Sequence, residues 1–239
     1  LVFQGYHFNN LLTVILGNIE MALDCGDKEM MHRYLADSKA ASLKAARIGE
    51  QLLLYLGGVP LALVIVDCCV QIKRIMDEIG GHIPSRVRFG VQCDGPIPVA
   101  CDLERLKDAV ACLVDNSVEA MPPAGGEILV TVGPGRPAEE RAFWPMGRPP
   151  RPEEMCRITV RDNGAGIPPD DLSKIFDPFF SSKMMGRGLG LSTVLGVIKL
   201  HDGAVGVESV PGEGTAVHLF LPMARRSGSA DFSEPALDR

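Results

Sequence analysis

The chain has 239 residues, 46% of them hydrophobic, with a net charge of -6 and a pI of about 5.4. That is enough for one large domain or two ordinary ones with a buried core, and an acidic balance speaks against nucleic-acid binding, which needs a basic stripe. No apolar run approaches the ~20 residues of a membrane span and no signal peptide is expected, so a cytoplasmic setting is expected for this segment, whatever tether the full-length protein carries; the seven cysteines, none at zinc-ligand spacing, read as reduced, mostly buried thiols.

Phe8 to Leu23 carries a helical pattern. Phe8, Leu11, Leu12, Ile15, Ile19 and Ala22 make an apolar stripe, and Asn9, Asn10, Thr13, Gly17 and Glu20 a polar one. After a turn at Asp24–Asp27, a second helix runs from Glu29 to Leu56 with Leu35, Ser38, Ala41, Ala45, Ile48, Leu52 and Tyr55 inward. A hairpin of two amphipathic helices leaves one face bare, and two copies would close a four-helix bundle. Gly57-Gly58-Val59-Pro60 stops the second helix and divides the chain. Residues 1–58 are the hairpin, 59–222 a second domain, and 223–239 a polar tail expected to be disordered or a linker.

Helices and strands alternate beyond the boundary. Leu61–Val66 is a strand or linker, Asp67–Ile79 a helix, Arg86–Gln92 a strand, and a short strand lies near Val99. Helix Asp102–Met121 opens on Asp102 as its cap. Strands Glu127–Val132 and Cys156–Asp162 are separated by Gly133–Met155, which is rich in Pro, Gly and Arg, too long for a tight turn, and expected to be mobile. Helix Leu189–His201 and strands Ala204–Ser209 and Ala216–Leu221 complete the domain.

Four clusters in this half carry chemistry. Cys112, Asn116 and Glu119 share one face of their helix. An amide oxygen there can bind a phosphate-bound magnesium, a hard cation that keeps several waters, although a lone Asn is as easily a surface or capping residue. Asp162 ends a strand and enters the turn Asn163-Gly164-Ala165-Gly166-Ile167. A carboxylate so placed can accept from the exocyclic amine of adenine, which guanine lacks, and glycines let backbone approach a flat base; alone, the string is an ordinary Asp-Gly turn. Gly186-Arg187-Gly188-Leu189-Gly190-Leu191 straddles a helix start, where free N–H groups and the helix dipole favour phosphate, with Lys183 and Arg187 adding charge. It lacks the spacing of a Walker motif. Gly212-Glu213-Gly214-Thr215 is a hairpin turn or a source of a Thr215 hydroxyl near the base. Phe176-Asp177-Pro178-Phe179-Phe180 reads as an apolar anchor beneath a lid, or as core packing.

Asn116, Asp162–Ile167, Phe176–Phe180, Gly186–Leu191 and Gly212–Thr215 resemble, in order, the N, G1, F, G2 and G3 boxes of the histidine kinase catalytic domain. Phe8–Asn18 is similar to the phosphoacceptor helix of the same family, so the resemblance covers about Phe8 to Pro222. It implies an α+β fold in which a dimerising two-helix hairpin precedes an α/β sandwich of the histidine kinase, Hsp90 and gyrase type. It implies a nucleotide site for ATP and Mg2+ made of Asn116 (the metal ligand), Glu119, Asp162, Gly164, Gly166, Ile167, Phe180, Lys183, Gly186, Arg187, Gly188, Leu189, Gly190, Leu191 and Thr215. It implies phosphotransfer to a histidine, then to an aspartate in the receiver domain of a response regulator, with a homodimer formed through the hairpin.

Three departures qualify the resemblance. The family's string is His-Asp-Phe-Asn-Asn-Leu-Leu; this chain reads Tyr6-His7-Phe8-Asn9-Asn10-Leu11-Leu12. Without a gap Tyr6 takes the acceptor position; with one deletion His7 does, at the frayed start of a short helix and without the neighbouring acid. Residue 6 falls on the polar face with Asn9, Asn10, Thr13 and Gly17, and residue 7 on the flank of the apolar stripe. Cys112 stands where gyrase, Hsp90 and MutL carry a water-activating Glu and many histidine kinases a second Asn. The lid between Phe180 and Gly186 is short. An ATP-binding scaffold that signals through its hairpin without phosphorylating itself is the competing expectation.

Overall fold

The computed structural model describes residues 2–55, 60–135, 142–146, 154–178, 180 and 190–224, with residues 2–9, 44, 47–48 and 50–55 described by backbone alone. Helix α1 (Val2–Asp24) begins well ahead of Phe8 and runs through Gly5. The first helix is therefore long, and positions 6 and 7 lie inside it rather than at a frayed end. Helix α2 (Lys28–Tyr55) packs back along α1. Its start is capped by Asp27, whose Oδ1 accepts from the N–H groups of Glu29 (2.8 Å) and Met30 (3.1 Å).

Small residues make the seam of this hairpin: Ala22, Ser38, Ala41 and Ala45 are buried. The Ser38 hydroxyl donates to the Ile15 carbonyl across it at 3.2 Å. Leu12, Ile19 and Leu35, expected inward, are 40%, 38% and 46% exposed. The reason is geometric. Two helices in contact bury one narrow strip of each, and the strip here is the alanine-rich one.

Strand β1 (Val64–Asp67) pairs antiparallel with β3 (Pro98–Cys101) in a two-stranded ribbon. Asp67 ends β1 and caps α3 (Cys68–Gly80). The main sheet contains β2 (Val87–Cys93), β4 (Gly126–Pro134), β5 (Met155–Asp162), β6 (Ala204–Val210) and β7 (Gly214–Pro222), in the order β2-β4-β5-β7-β6. Only β2–β4 is parallel. α3, α4 (Leu103–Ala120) and α6 (Gly190–Leu200) supply buried side chains to one core with this sheet, among them Ile72, Met76, Leu106, Leu113, Val197 and Ile198 against Val130, Ile158 and Leu219. The sequence pattern did not suggest α5 (Pro169–Leu172), a single turn. The hairpin's α2 also lies against α6.

The excursion between β4 and β5, expected to be mobile, is tied down where it is described. Phe143 and Val207 exchange backbone hydrogen bonds at 2.7 and 3.0 Å. Trp144 packs on Phe220 with ring centroids 5.6 Å apart. A sheet edge offers unpaired N–H and C=O groups, and this segment satisfies part of the β6 edge while covering apolar surface.

All seven thiols are free, and Cys68, Cys69, Cys101 and Cys156 are buried. Burial pushes the Cys69 thiol up to about 12 and the Cys101 thiol up to about 11, which keeps both protonated and inert at neutral pH.

Candidate nucleotide-binding site

Asp162 is the centre of the site. It ends β5 at 8% exposure, and both carboxylate oxygens are engaged. Oδ2 accepts from the Ser117 hydroxyl at 3.0 Å. Oδ1 accepts from the N–H groups of Gly164 (2.9 Å) and Thr215 (3.2 Å). One side chain thus joins α4, the turn after β5 and the start of β7. Each oxygen of a carboxylate has about two acceptor positions, so capacity remains on Oδ2 for a ligand amine.

The turn that follows is bolted in place by its backbone. Ala165 N–H donates to the Ala120 carbonyl at the end of α4 (3.0 Å), and Gly212 N–H to the Ala165 carbonyl (2.8 Å). Ile167 N–H donates to Ser209 Oγ at 2.8 Å. Gly166 sits at φ +69°, where a Cβ would lie 2.1 Å from the Val210 carbonyl oxygen. Gly214 sits at φ +113°, where a Cβ would lie 2.1 Å from the Asp162 carbonyl oxygen. Left-handed backbone favours glycine, and at both positions the close neighbour is the protein's own backbone. Approach of a base, the reason offered from the sequence for the turn that holds Gly166, is not needed to explain that glycine, and Gly214 lies in the turn expected there.

Thr215 is buried, and its hydroxyl is hydrogen-bonded to Ser209 Oγ at 2.8 Å. Asn163 Oδ1 accepts from Glu127 N–H at 2.8 Å and fastens the turn to β4. Sequence reasoning did not give Ser117, Asn163 and Ser209 these roles. Ser117 sat in an apolar stripe, and a polar residue at a core position is itself the signal that a buried partner awaits it.

On α4, Asn116 and Glu119 are exposed and Cys112 is half-buried. Asn116 Nδ2 lies 3.7 Å from Cys112 Sγ. Burial, then the Asp115 carboxylate, pushes the Cys112 thiol up to about 12. The first residue of α6, Gly190, meets this face: a Cβ on it would lie 2.7 Å from Cys112 Sγ and 3.8 Å from Asn116 Oδ1. The structure thereby brings Asn116, Asp162, Gly164, Gly166, Ile167, Gly190 and Thr215 to one end of the sheet, beside α4. Ile167, Leu191 and Phe180 are partly buried against the core, and Phe176 is buried in it. Lys183, Gly186, Arg187, Gly188 and Leu189, with Phe179, lie outside the described residues, as do the side chains of Tyr6 and His7.

The donor set suits a cation carried in by a polyphosphate. No group of three His, Cys, Asp or Glu able to hold a metal by itself occurs among the described residues. Asn116 offers one hard oxygen, and magnesium takes its remaining ligands from phosphate and water.

A second polar knot ties the site's helices to the hairpin linker. Asp102 caps α4 by accepting from Arg105 N–H at 3.1 Å, and its other oxygen accepts from Ala62 N–H at 3.0 Å. Asp102 N–H donates to His201 Nε2 at 2.9 Å. His201 Nδ1 faces the Val197 carbonyl at 2.7 Å. Burial alone would raise the Asp102 carboxyl. The Ala62 and Arg105 N–H groups, the Arg105 charge and His201 outweigh it and hold the carboxyl below its ordinary value.

Residues 101–225, just over half of the chain, match the family of histidine kinase-, DNA gyrase B- and HSP90-like ATPases. The sensor kinase CckA of Brucella abortus (strain 2308) is 30% identical over 234 residues, covering 95% of this chain and 24% of that protein. The chain therefore spans about a quarter of the length of that relative. Among solved structures, the mycobacterial sensor histidine kinase MprB is 29% identical with a TM-score of 0.54, covering 68% of this chain and 98% of that one. Histidine kinase ThkA, in complex with response regulator protein TrrA, is 21% identical with a TM-score of 0.62 over 94% of this chain and 61% of that one. Its likeness is one of fold. The α+β fold, a helical hairpin before a mixed α/β sheet domain, is the one expected.

Proposed function

The chain belongs to the histidine kinase-, DNA gyrase B- and HSP90-like ATPase family, and on that premise we propose that it is a sensor histidine kinase core. It binds Mg-ATP and transfers the γ-phosphate to a histidine, for relay to an aspartate of a response regulator. The observation that carries this reading is the Asp162 knot: a buried carboxylate held by Ser117, Gly164 and Thr215 at the end of β5, beside the exposed amide of Asn116.

Asp162 reads adenine. Its two backbone donors fix its orientation before the nucleotide arrives, so little reorganisation accompanies binding. Asn116 Oδ1 is the protein's metal ligand; magnesium, when bound, neutralises charge on the phosphate oxygens. Gly190, Leu191, Lys183 and Arg187 belong to the phosphate end of the site, and Glu119 flanks it. Catalysis is positioning and charge stabilisation, the usual means in phosphoryl transfer. Cys112 puts no carboxylate at this place on α4 to activate water, which supports transfer to a protein.

The hairpin, residues 1–58, is the dimerising and acceptor element, and residues 59–222 bind the nucleotide. The exposed Leu16, Leu23 and Leu43 of the hairpin favour a homodimer. His7 or Tyr6, both within α1, takes the phosphate. Incubation with γ-labelled ATP followed by acid treatment tests the reading: acid-labile label lost in His7→Gln is expected. Acid-stable label on Tyr6 would make the protein a tyrosine acceptor, and ATP binding without label would make it a scaffold.

A further inference from the structure

We propose that Cys112 is a positioning residue for the metal ligand: its sulfur holds the Nδ2 end of Asn116 and so turns Oδ1 outward to the cation. The inference rests on the Mg-ATP reading above. A carboxamide has two ends of nearly equal size and opposite chemistry, and only the oxygen can ligate magnesium. Which end faces the ligand depends on what holds the other. Nδ2 donates to Cys112 Sγ, one helical turn away on α4, at 3.7 Å. It is the only hydrogen bond that amide makes among the described residues. The sulfur accepts through its lone pairs and brings no competing hard oxygen, so it orients without ligating.

A second contact, made by the same atom, has a different partner. Cys112 Sγ packs against Gly190, where a Cβ would come within 2.7 Å; Asn116 Nδ2 and Oδ1 would be 3.7 and 3.8 Å away. The first residue of α6 therefore rests on the sulfur and beside the amide. Cys112 sets both the direction of the Asn116 amide and its distance from the helix start at the phosphate end of the site. A residue that merely filled space would do the second and not the first.

Calorimetric ATP affinities, measured with Mg2+ and again in EDTA, separate these roles in C112A, C112S, C112N and N116A. The quantity read is the gain in affinity that Mg2+ gives. N116A abolishes it. C112A cuts it about five- to tenfold, the worth of one lost orienting hydrogen bond, with the loss confined to the magnesium-dependent part. C112S, whose hydroxyl accepts from Nδ2, retains most of the gain, and C112N, which adds an amide oxygen, equals or exceeds the parent. An unchanged magnesium gain in C112A, with N116A still abolishing it, overturns the role of Cys112 and leaves the site intact. An equal loss with and without Mg2+ in C112A makes Cys112 a packing residue and also overturns the proposal. An unchanged gain in N116A defeats the metal assignment itself and the inference with it.

Discussion

The nucleotide end of the sheet and the helical hairpin are built on opposite terms. Around Asp162, a hydroxyl and two backbone N–H groups find their acceptors within one chain. In the hairpin the seam is closed by alanines and Ser38, while Leu16 and Leu23 stand 60% and 80% exposed. A polar knot with its partners in place is complete in a single copy. An apolar helix face left exposed among the described residues is surface that a partner would bury. Under the proposed function, specificity belongs to the pocket and assembly to the hairpin.

The sharpest way to break the pocket's side is Asp162→Ala. It removes the proposed adenine contact and strands three donors near the core. ATP affinity should fall by more than about 30-fold and stability by at least about 3 kcal/mol, at 1–3 kcal/mol for each buried donor left unpaired. Asp162→Asn separates the two effects. It keeps an oxygen for Gly164 and Thr215, so it should lose most of the affinity with a smaller fall in stability. Calorimetry and chemical unfolding read both. A D162N protein that binds ATP like the parent would remove Asp162 from base recognition.

The corresponding test of the hairpin is Leu16→Glu combined with Leu23→Glu. Burying a leucine stabilises by about 1.5–3 kcal/mol, so each charge should weaken a dimer at least tenfold. Sedimentation should then show a monomer with an unchanged far-UV spectrum and unchanged ATP affinity. An unaltered oligomeric state would mean that these side chains meet no partner.

This contrast also explains what the sequence could and could not convey. Asp162, Gly166 and Gly214 were legible because a strand-end carboxylate and left-handed turns restrict residue choice over a few positions. Ser117 was not, since its partner lies across the fold and a serine on an apolar stripe passes for a tolerated small residue. The helix start at Val2 escaped notice because periodicity marks where a helix is amphipathic, not where it begins. Leu12, Ile19 and Leu35 satisfied the helical period yet lie outside, for the period gives a face but not its occupant. The tethering of Phe143 to β6 and of Trp144 to Phe220 on β7 rests on strands far along the chain, which Pro- and Gly-rich composition conceals.

His201 and Asp102 join the two regions, and their loss should be milder. His201→Ala leaves the Asp102 N–H without its acceptor and opens space at the end of α6. The cost should be about 2 kcal/mol, a fall of roughly 4–8 °C in Tm for a domain of this size. The proposed hairpin dimer should persist, since the ring bonds to Asp102 and Val197 rather than to the hairpin seam. Equal Tm values would show that the knot between linker and pocket is not under load.

The smallest effect is expected for Asp102→Asn, where only the charge is removed and the cap remains. A carboxyl held below its ordinary value of 3.8 in the folded chain favours folding once the pH exceeds that value. The contribution is lost as the pH falls through the lower, folded value. The parent should therefore be the more stable protein at neutral pH, and the gap between the two should close in acid. A gap that stayed constant from pH 7 into the acid range would mean that Asp102 acts through its shape alone. The linker at Ala62 would then be held by a hydrogen bond and not by charge.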